Sequence, residues 1–322
     1  MLENEFVTFS QNFLDRCGNL RSNQKKINDY LCNDSAKFLM YWRGKIPIIS
    51  DTGDKLCLVG REHPLVLNYS GTPIFLGFES GIPFFSIDIS SWLPESYNDE
   101  AARTFFDPNV YNHPDLPENS IFAELRGFMN RISVREAELA VITRGINAWH
   151  ENNLYCAKCG SLTKIANAGW QRNCLNCGAG HFPRTDPVVI MLVIHGNNIL
   201  LGRSHGWPEK MYSCLAGFME PGESIEAAVQ REVLEETSVV VKNVRYFTSQ
   251  PWPFPSSLMI GCVANALSKK VSIDPKEIEN ALWVSKEEML DVFSGNNERI
   301  YPARPGSIAH FMIKNWLSGN IE

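Results

Sequence analysis

Residues 217–239 read GFMEPGESIEAAVQREVLEETSV. From Glu223 onward the pattern is helical, and Glu232, Glu235 and Glu236 fall at i, i+3 and i+4 on one face. Val229, Val233 and Leu234 are left to face a core. Three adjacent carboxylates repel one another unless a cation intervenes. Oxygen donors of this kind suit Mg²⁺ or Mn²⁺, although a solvated charged face carries the same residues. Gly217 and Gly222 flank the loop into the helix. Arg231 precedes Glu235 at the spacing of an i, i+4 ion pair.

On either side of this helix the chain reads as strands. Residues 187–194 form an apolar run that predicts a strand buried on both faces. His195 to Asn198 reads as a turn, and 199–203 as the hairpin partner. Residues 239–247 and 257–266 predict two further strands. Ser307 to Leu317 is amphipathic, with Ile308, Phe311, Met312 and Trp316 on one side. Between the later strands lies SQPWPFPSSLM (249–259), with three prolines around Trp252 and Phe254. It reads as a stiff loop whose rings either stack on a flat heterocycle or pack into a core.

Upstream, Cys156-Ala-Lys-Cys159-Gly and Cys174-Leu-Asn-Cys177-Gly are separated by fourteen residues. Each pair makes a tight knuckle, and two knuckles supply four thiolates for a tetrahedral zinc. With every ligand place filled by protein, such a zinc is structural. Lys158, Lys164 and Arg172 nearby read as a solvated face or a nucleic-acid contact. Before the cysteines, residues up to about 105 read as β-rich, with apolar runs at 56–59, 64–67, 73–78 and 82–89. A proline-bearing loop follows at 107–119. A helical pattern runs from Ile121 to about His150, with Leu139, Ile142, Ile146 and Trp149 near the 3.6-residue period.

The Gly-x5-Glu-x7-Arg-Glu-Val-x-Glu-Glu pattern over 217–236 resembles the Nudix box almost position for position. It departs at Ser238, where the family usually has glycine as a helix C-cap. The 249–257 stretch is similar to the signature of the NADH diphosphatase branch of that family. The resemblance extends over most of the chain from about residue 50. It implies an α+β chain of three parts: a β-rich N-terminal domain ending in a helix (1–150), a zinc ribbon (151–182), and a Nudix α/β/α sandwich with a mixed sheet (183–322). It implies hydrolysis of a nucleoside diphosphate linked to another group. Glu232, Glu235 and Glu236 would be metal ligands or base, and Arg231 would orient them. Glu277, in Asp274-Pro-Lys-Glu277, is a further ligand or base candidate, or else an exposed loop charge. Phe218, Trp252 and Phe182 are the candidate base stackers, Phe254 is a further substrate-binding candidate, and Ser257 is a candidate hydrogen-bond partner. The branch also implies a homodimer, with Phe182 contributing to the other subunit's site.

Composition narrows the classes. The 322 residues are 44% hydrophobic and 20% charged, with a net charge of −6. That argues against a broad polyanion-binding surface. No apolar run approaches the roughly 20 residues of a membrane span. The start, with Glu3, Glu5 and Asp15, lacks a secretory pattern, and Gly319 to Glu322 matches no lipidation or peroxisomal address. Nine cysteines in a chain of this length fit a reducing compartment and a metal site better than a disulfide scaffold. A cytoplasmic location follows, with mitochondrion and peroxisome as alternatives. Three functions are expected in order: NAD(H) diphosphatase giving AMP and nicotinamide mononucleotide, removal of 5′ NAD caps from RNA, and a non-catalytic nucleotide sensor. His181, His195 and His205 have no partner spacing and read as surface or core residues.

Overall fold

The computed structural model describes residues 7–50, 54–97 and 106–321. Glu3 and Glu5, cited above for the chain's start, lie outside them. The chain divides into two compact units. One comprises Met1–Ser10, Asp186–Trp252 and Ser257–Glu322, and the other Gln11–Thr185 and Pro253–Ser256.

The second unit begins with helix α1 (Gln24–Leu31), then β1 (Lys37–Tyr41), β2 (Lys45–Ser50), β3 (Asp54–Leu56) and β4 (Leu58–Gly60). A helical turn α2 (Pro64–Leu67), β5 (Ile74–Glu79), β6 (Ile82–Asp88) and β7 (Ser120–Glu124) follow. Its sheets run β4-β1-β6-β5 and β3-β2-β7. An aromatic core of Phe38, Trp42, Phe75, Phe85 and Phe122 fills it.

Two expectations fail here. Residues 64–67 are helical, because Pro64 sits in the first turn and the His63 ring accepts from the Leu65 amide. Residues 120–124 form a strand paired with β2, and its burial alternates, buried at Ser120, Phe122 and Glu124. The helix begins later, as α3 (Val134–Asn152), fixed by a capping box between Ser133 and Glu136. Leu139, Ile142, Ile146 and Trp149 are buried along it, as their period predicts. The ribbon strands β8 (Thr163–Ala166), β9 (Gln171–Cys174) and β10 (Gly180–His181) complete this unit.

The first unit is built on one mixed sheet. Its strands are β11 (Asp186–His195), β12 (Asn198–Arg203), β13 (Leu215–Phe218), β14 (Val241–Trp252), β15 (Ser257–Ala266) and β16 (Asn280–Ser285). The order is β14-β15-β11-β12-β16, with β13 also on β11. β11 runs parallel to β15 and antiparallel to β12 and β13. Val188 to Ile194 are all buried, so the double-sided reading of this run holds. Val189, Met191 and Val193 face one core with α4 (Ile225–Thr237). Ile190, Leu192 and Ile194 face the other, with α5 (Lys286–Phe293) and α6 (Ile308–Leu317). The α/β/α sandwich follows from that alternation.

The 249–259 stretch is not a free loop. Ser249 to Trp252 end β14, and Ser257 to Met259 begin β15. Trp252 pairs with Ser257 across the hairpin, and only 253–256 turn. Gln250, fully buried, explains part of the order: its amide donates to the Thr8 and Gly306 carbonyls and accepts from the Ile308 amide at the start of α6.

Candidate active site

Helix α4 is capped by the Ser224 hydroxyl, which accepts from the Ala227 amide. Ala228, Val229, Val233 and Thr237 are buried along it, while Leu234 is 49% exposed. Leu234 therefore does not join the core as expected. It lies one residue past Val233, about 100° around a helix of 3.6 residues per turn.

Turning this face inward leaves Glu232 and Glu236 half-buried and Glu235 exposed. Arg231 links Glu232 and Glu235 to Glu223. Its Nε and Nη2 donate to the two oxygens of Glu223 at 2.8 and 2.9 Å. Nη1 donates to Glu232 Oε1 at 2.8 Å and Glu235 Oε2 at 2.9 Å, and Nη2 to the Phe218 carbonyl at 2.9 Å. The i, i+4 ion pair and the orienting role expected of Arg231 are thus one arrangement. Sequence reasoning passed over Glu223 as a site residue. Its carboxylate also accepts from the Glu220 amide, and the Arg231 guanidinium beside it holds its pKa down at about 2.

Gly217 has a steric reason. A Cβ there would sit 1.9 Å from the Glu232 carboxyl carbon. Burial raises the Glu232 pKa, against the pull of Arg231. Glu236 is pushed up to about 8, first by burial and then by the charges of Glu232, Glu277 and Glu235. Its Oε2 is shielded from solvent without a hydrogen-bond partner. A buried carboxylate oxygen in that state is costly unless it is protonated or meets a cation. Among the described residues, Glu232 and Glu235 share one guanidinium and Glu236 keeps an unpartnered oxygen, a donor set that fits a hard divalent cation. Glu277 is exposed, in a turn where its amide donates to the Asp274 carbonyl, and its charge reaches Glu236.

Phe218 is 62% exposed, the state a stacking ring needs. Trp252 and Ser257 are half-buried at the strand ends. The other two aromatic candidates belong to the second unit. Phe182 is 68% exposed, and Phe254 has the guanidinium carbons of Arg126 and Arg144 at 4.7 and 4.4 Å from its ring centroid.

In the ribbon, the sulfurs of Cys156, Cys159, Cys174 and Cys177 all lie within 4.8 Å of one another. Cys156 to Cys177 is 3.7 Å and Cys159 to Cys174 is 3.4 Å. Zinc bonds near 2.3 Å in a tetrahedron place sulfurs about 3.8 Å apart, so the cage fits zinc. Gly160 and Gly178 take φ of +74° and +71° behind the knuckles, which is why glycine follows each pair. The Lys158 amide donates to Cys156 and the Asn176 and Cys177 amides to Cys174, as anionic sulfur requires. His181 is not a plain surface residue: its Nε2 lies 3.3 Å from the Cys156 sulfur. It sits on β10, opposite Arg172 on β9, a pairing that residue spacing does not reveal. His205 does fit the expectation of a surface residue, with Nε2 2.9 Å from the Pro275 carbonyl oxygen.

Comparison with known proteins places these features in three matched regions. Residues 184–304 match the NUDIX domain, 35–149 the NADH pyrophosphatase-like rudimentary NUDIX domain, and 151–182 the NADH pyrophosphatase zinc ribbon domain. The human protein named NAD-capped RNA hydrolase NUDT12 is 35% identical over 350 residues, covering 97% of this chain and 73% of the relative. The Macaca fascicularis protein of that name is 36% identical over 309 residues, covering 92% of this chain. The chain spans 61% of that relative's length. NAD-capped RNA hydrolase NudC of Mycobacterium bovis is 38% identical over 215 residues, covering 64% of this chain and 67% of the relative.

Proposed function

Because the chain belongs to the Nudix hydrolase family, we propose that it hydrolyses the pyrophosphate bond of NAD(H), releasing AMP and nicotinamide mononucleotide. The observation that carries this reading is the carboxylate helix. Glu232, Glu235 and Glu236 stand on α4, the first two tied by Arg231, beside an exposed Phe218. The signature hairpin at 249–257 directs the reading to a dinucleotide.

Glu232, Glu235, Glu236 and Glu277 would hold Mg²⁺ or Mn²⁺. When bound, such ions offset charge on the leaving phosphate and activate water. Arg231 holds Glu232 and Glu235 in one orientation, and Glu223 anchors Arg231 from the other side. Phe218, Trp252 and Phe182 would stack on the bases, Phe254 lies in the same substrate signature, and Ser257 would hydrogen-bond the substrate. The nicotinamide is cargo, and no hydride moves. Structural zinc belongs to Cys156, Cys159, Cys174 and Cys177. Three parts, 1–150, 151–182 and 183–322, would form each subunit of a homodimer. Four thiols gathered for a metal support a reducing setting, which would be the cytoplasm, with mitochondrion or peroxisome as alternatives.

The printed names of the relatives favour a second substrate, RNA carrying a 5′ NAD cap. The same bond would break, and a net charge of −6 points to recognition of the cap more than of the RNA backbone. Incubation with NADH and Mg²⁺ or Mn²⁺ tests the first reading: AMP is expected, and its absence sinks it. A salt series then separates the substrates. A steep loss of rate with salt for capped RNA alone would favour the second.

A further inference from the structure

The turn 253–256, which joins Trp252 to Ser257, is gripped from residues far away in sequence. Phe254 is engaged by two guanidinium groups, Arg126 at 4.7 Å and Arg144 at 4.4 Å from the ring centroid. Neither arginine is loose. Arg126 is ion-paired to Glu124 of β7, and Glu124 also accepts from the Asp107 amide at 2.7 Å. Arg144 is on α3, where its Nε donates to the Gly44 carbonyl at 3.2 Å. Its Nη1 is shielded from solvent and has no hydrogen-bond partner. Beside the charges of Glu124 and Glu151, the face of an aromatic ring supplies further negative potential to a shielded guanidinium group whose Nη1 has no acceptor. Behind Phe254, a Cβ on Gly145 would lie 3.6 Å from Pro253, so α3 passes close to the turn.

A ring already engaged by two cations is poorly placed to stack on a base as well. The aromatic pair of the signature therefore divides its work. We propose that Arg126 and Arg144 position the 253–256 turn through the ring of Phe254, and thereby set how tightly Trp252 and Ser257 hold the substrate's base. Phe254 is on this reading a positioning residue rather than a stacking one. The proposal rests on the dinucleotide reading above and assigns part of its specificity to residues outside the Nudix sheet.

Two readouts on the full-length protein test it: steady-state AMP release from NADH, and hydrogen exchange across 249–259. Phe254→Leu keeps an apolar plug but removes the ring face. It is expected to raise KM about tenfold with kcat changed less than about threefold, and to speed exchange in the hairpin. Phe254→Tyr keeps the ring and restores both. Arg144→Met and Arg144→Lys should repeat that order, loss and then partial recovery. Unchanged KM and exchange in Phe254→Leu would overturn the proposal. So would a fall in kcat matching a fall in folded fraction, because that is mere destabilisation. Wild-type protein that releases no AMP removes the underlying reading instead, before any variant is compared.

Discussion

At Gly217 the chain has no room for a side chain, because the Glu232 carboxyl group occupies the place of the missing Cβ. Gly217→Ala is therefore expected to displace that carboxylate without unfolding β13. Misplacing a catalytic group by about 1 Å costs on the order of 10²-fold in rate. The check is kcat beside the melting temperature: rate lost, melting nearly kept. A second residue gives a pH signature away from the site. His150 is buried, with Nε2 2.8 Å from the Gly169 carbonyl oxygen and Nδ1 3.0 Å from Arg172 Nη1. Nδ1 must accept from the guanidinium, so Nε2 carries the proton and the ring is neutral. Burial, with help from Arg172, lowers its pKa to about 4. The unfolded chain then takes up the proton first as pH falls. Stability is complete above about pH 6.5 and declines toward pH 4, by about 3 kcal/mol at most. Urea midpoints across that window should show this loss in wild type and not in His150→Gln. Equal slopes would mean the ring is not held neutral.

Among the elements, α4 shows how a departure from family pattern is absorbed. Ser238 ends the helix at φ 57°, ψ 16°, a left-handed conformation that costs an L-residue roughly 1–2 kcal/mol. Its hydroxyl donates to the Ser272 carbonyl at 2.9 Å, recovering about 0.5–1.5 kcal/mol. Ser238→Gly should therefore change stability by less than about 1 kcal/mol, while Ser238→Val, losing the bond and keeping the strain, should cost about 2 kcal/mol. Thermal melts of the two variants check this. The elements that periodicity foretold are those with one clear environment: β11 buried on both faces, β15, α6, and the middle of α3. Those misread have mixed signals. Ser120–Glu124 alternates like a strand but adjoins a helix-forming run, and its partner β2 lies about 70 residues earlier. Glu223 and His181 were illegible as partners because their contacts span eight residues and a strand pairing.

For the molecule as a whole, the cysteine spacing and the carboxylate box were legible because both are local: ligands must sit at fixed short intervals. The N-terminal domain was legible as β-rich but not in its strand pairing, since its core is assembled from strands scattered over residues 37–124. Zinc joins the two scales. Four thiolates cannot stay within 4.8 Å of one another once the ion is stripped at neutral pH without repulsion or oxidation. Chelation, or Cys174→Ser, is expected to lower the first melting transition, with about one zinc per chain lost by elemental analysis.

The central claim is that the carboxylates of α4 carry a metal-dependent cleavage of a dinucleotide pyrophosphate. The most direct test is AMP release from NADH with Mn²⁺ or Mg²⁺, comparing wild type with Glu235→Gln. That carboxylate is exposed and bonded to Arg231, so its removal leaves the core intact. A rate lower by about 10²-fold or more, in a protein that still melts like wild type, is the expected result. An unchanged rate would contradict the account.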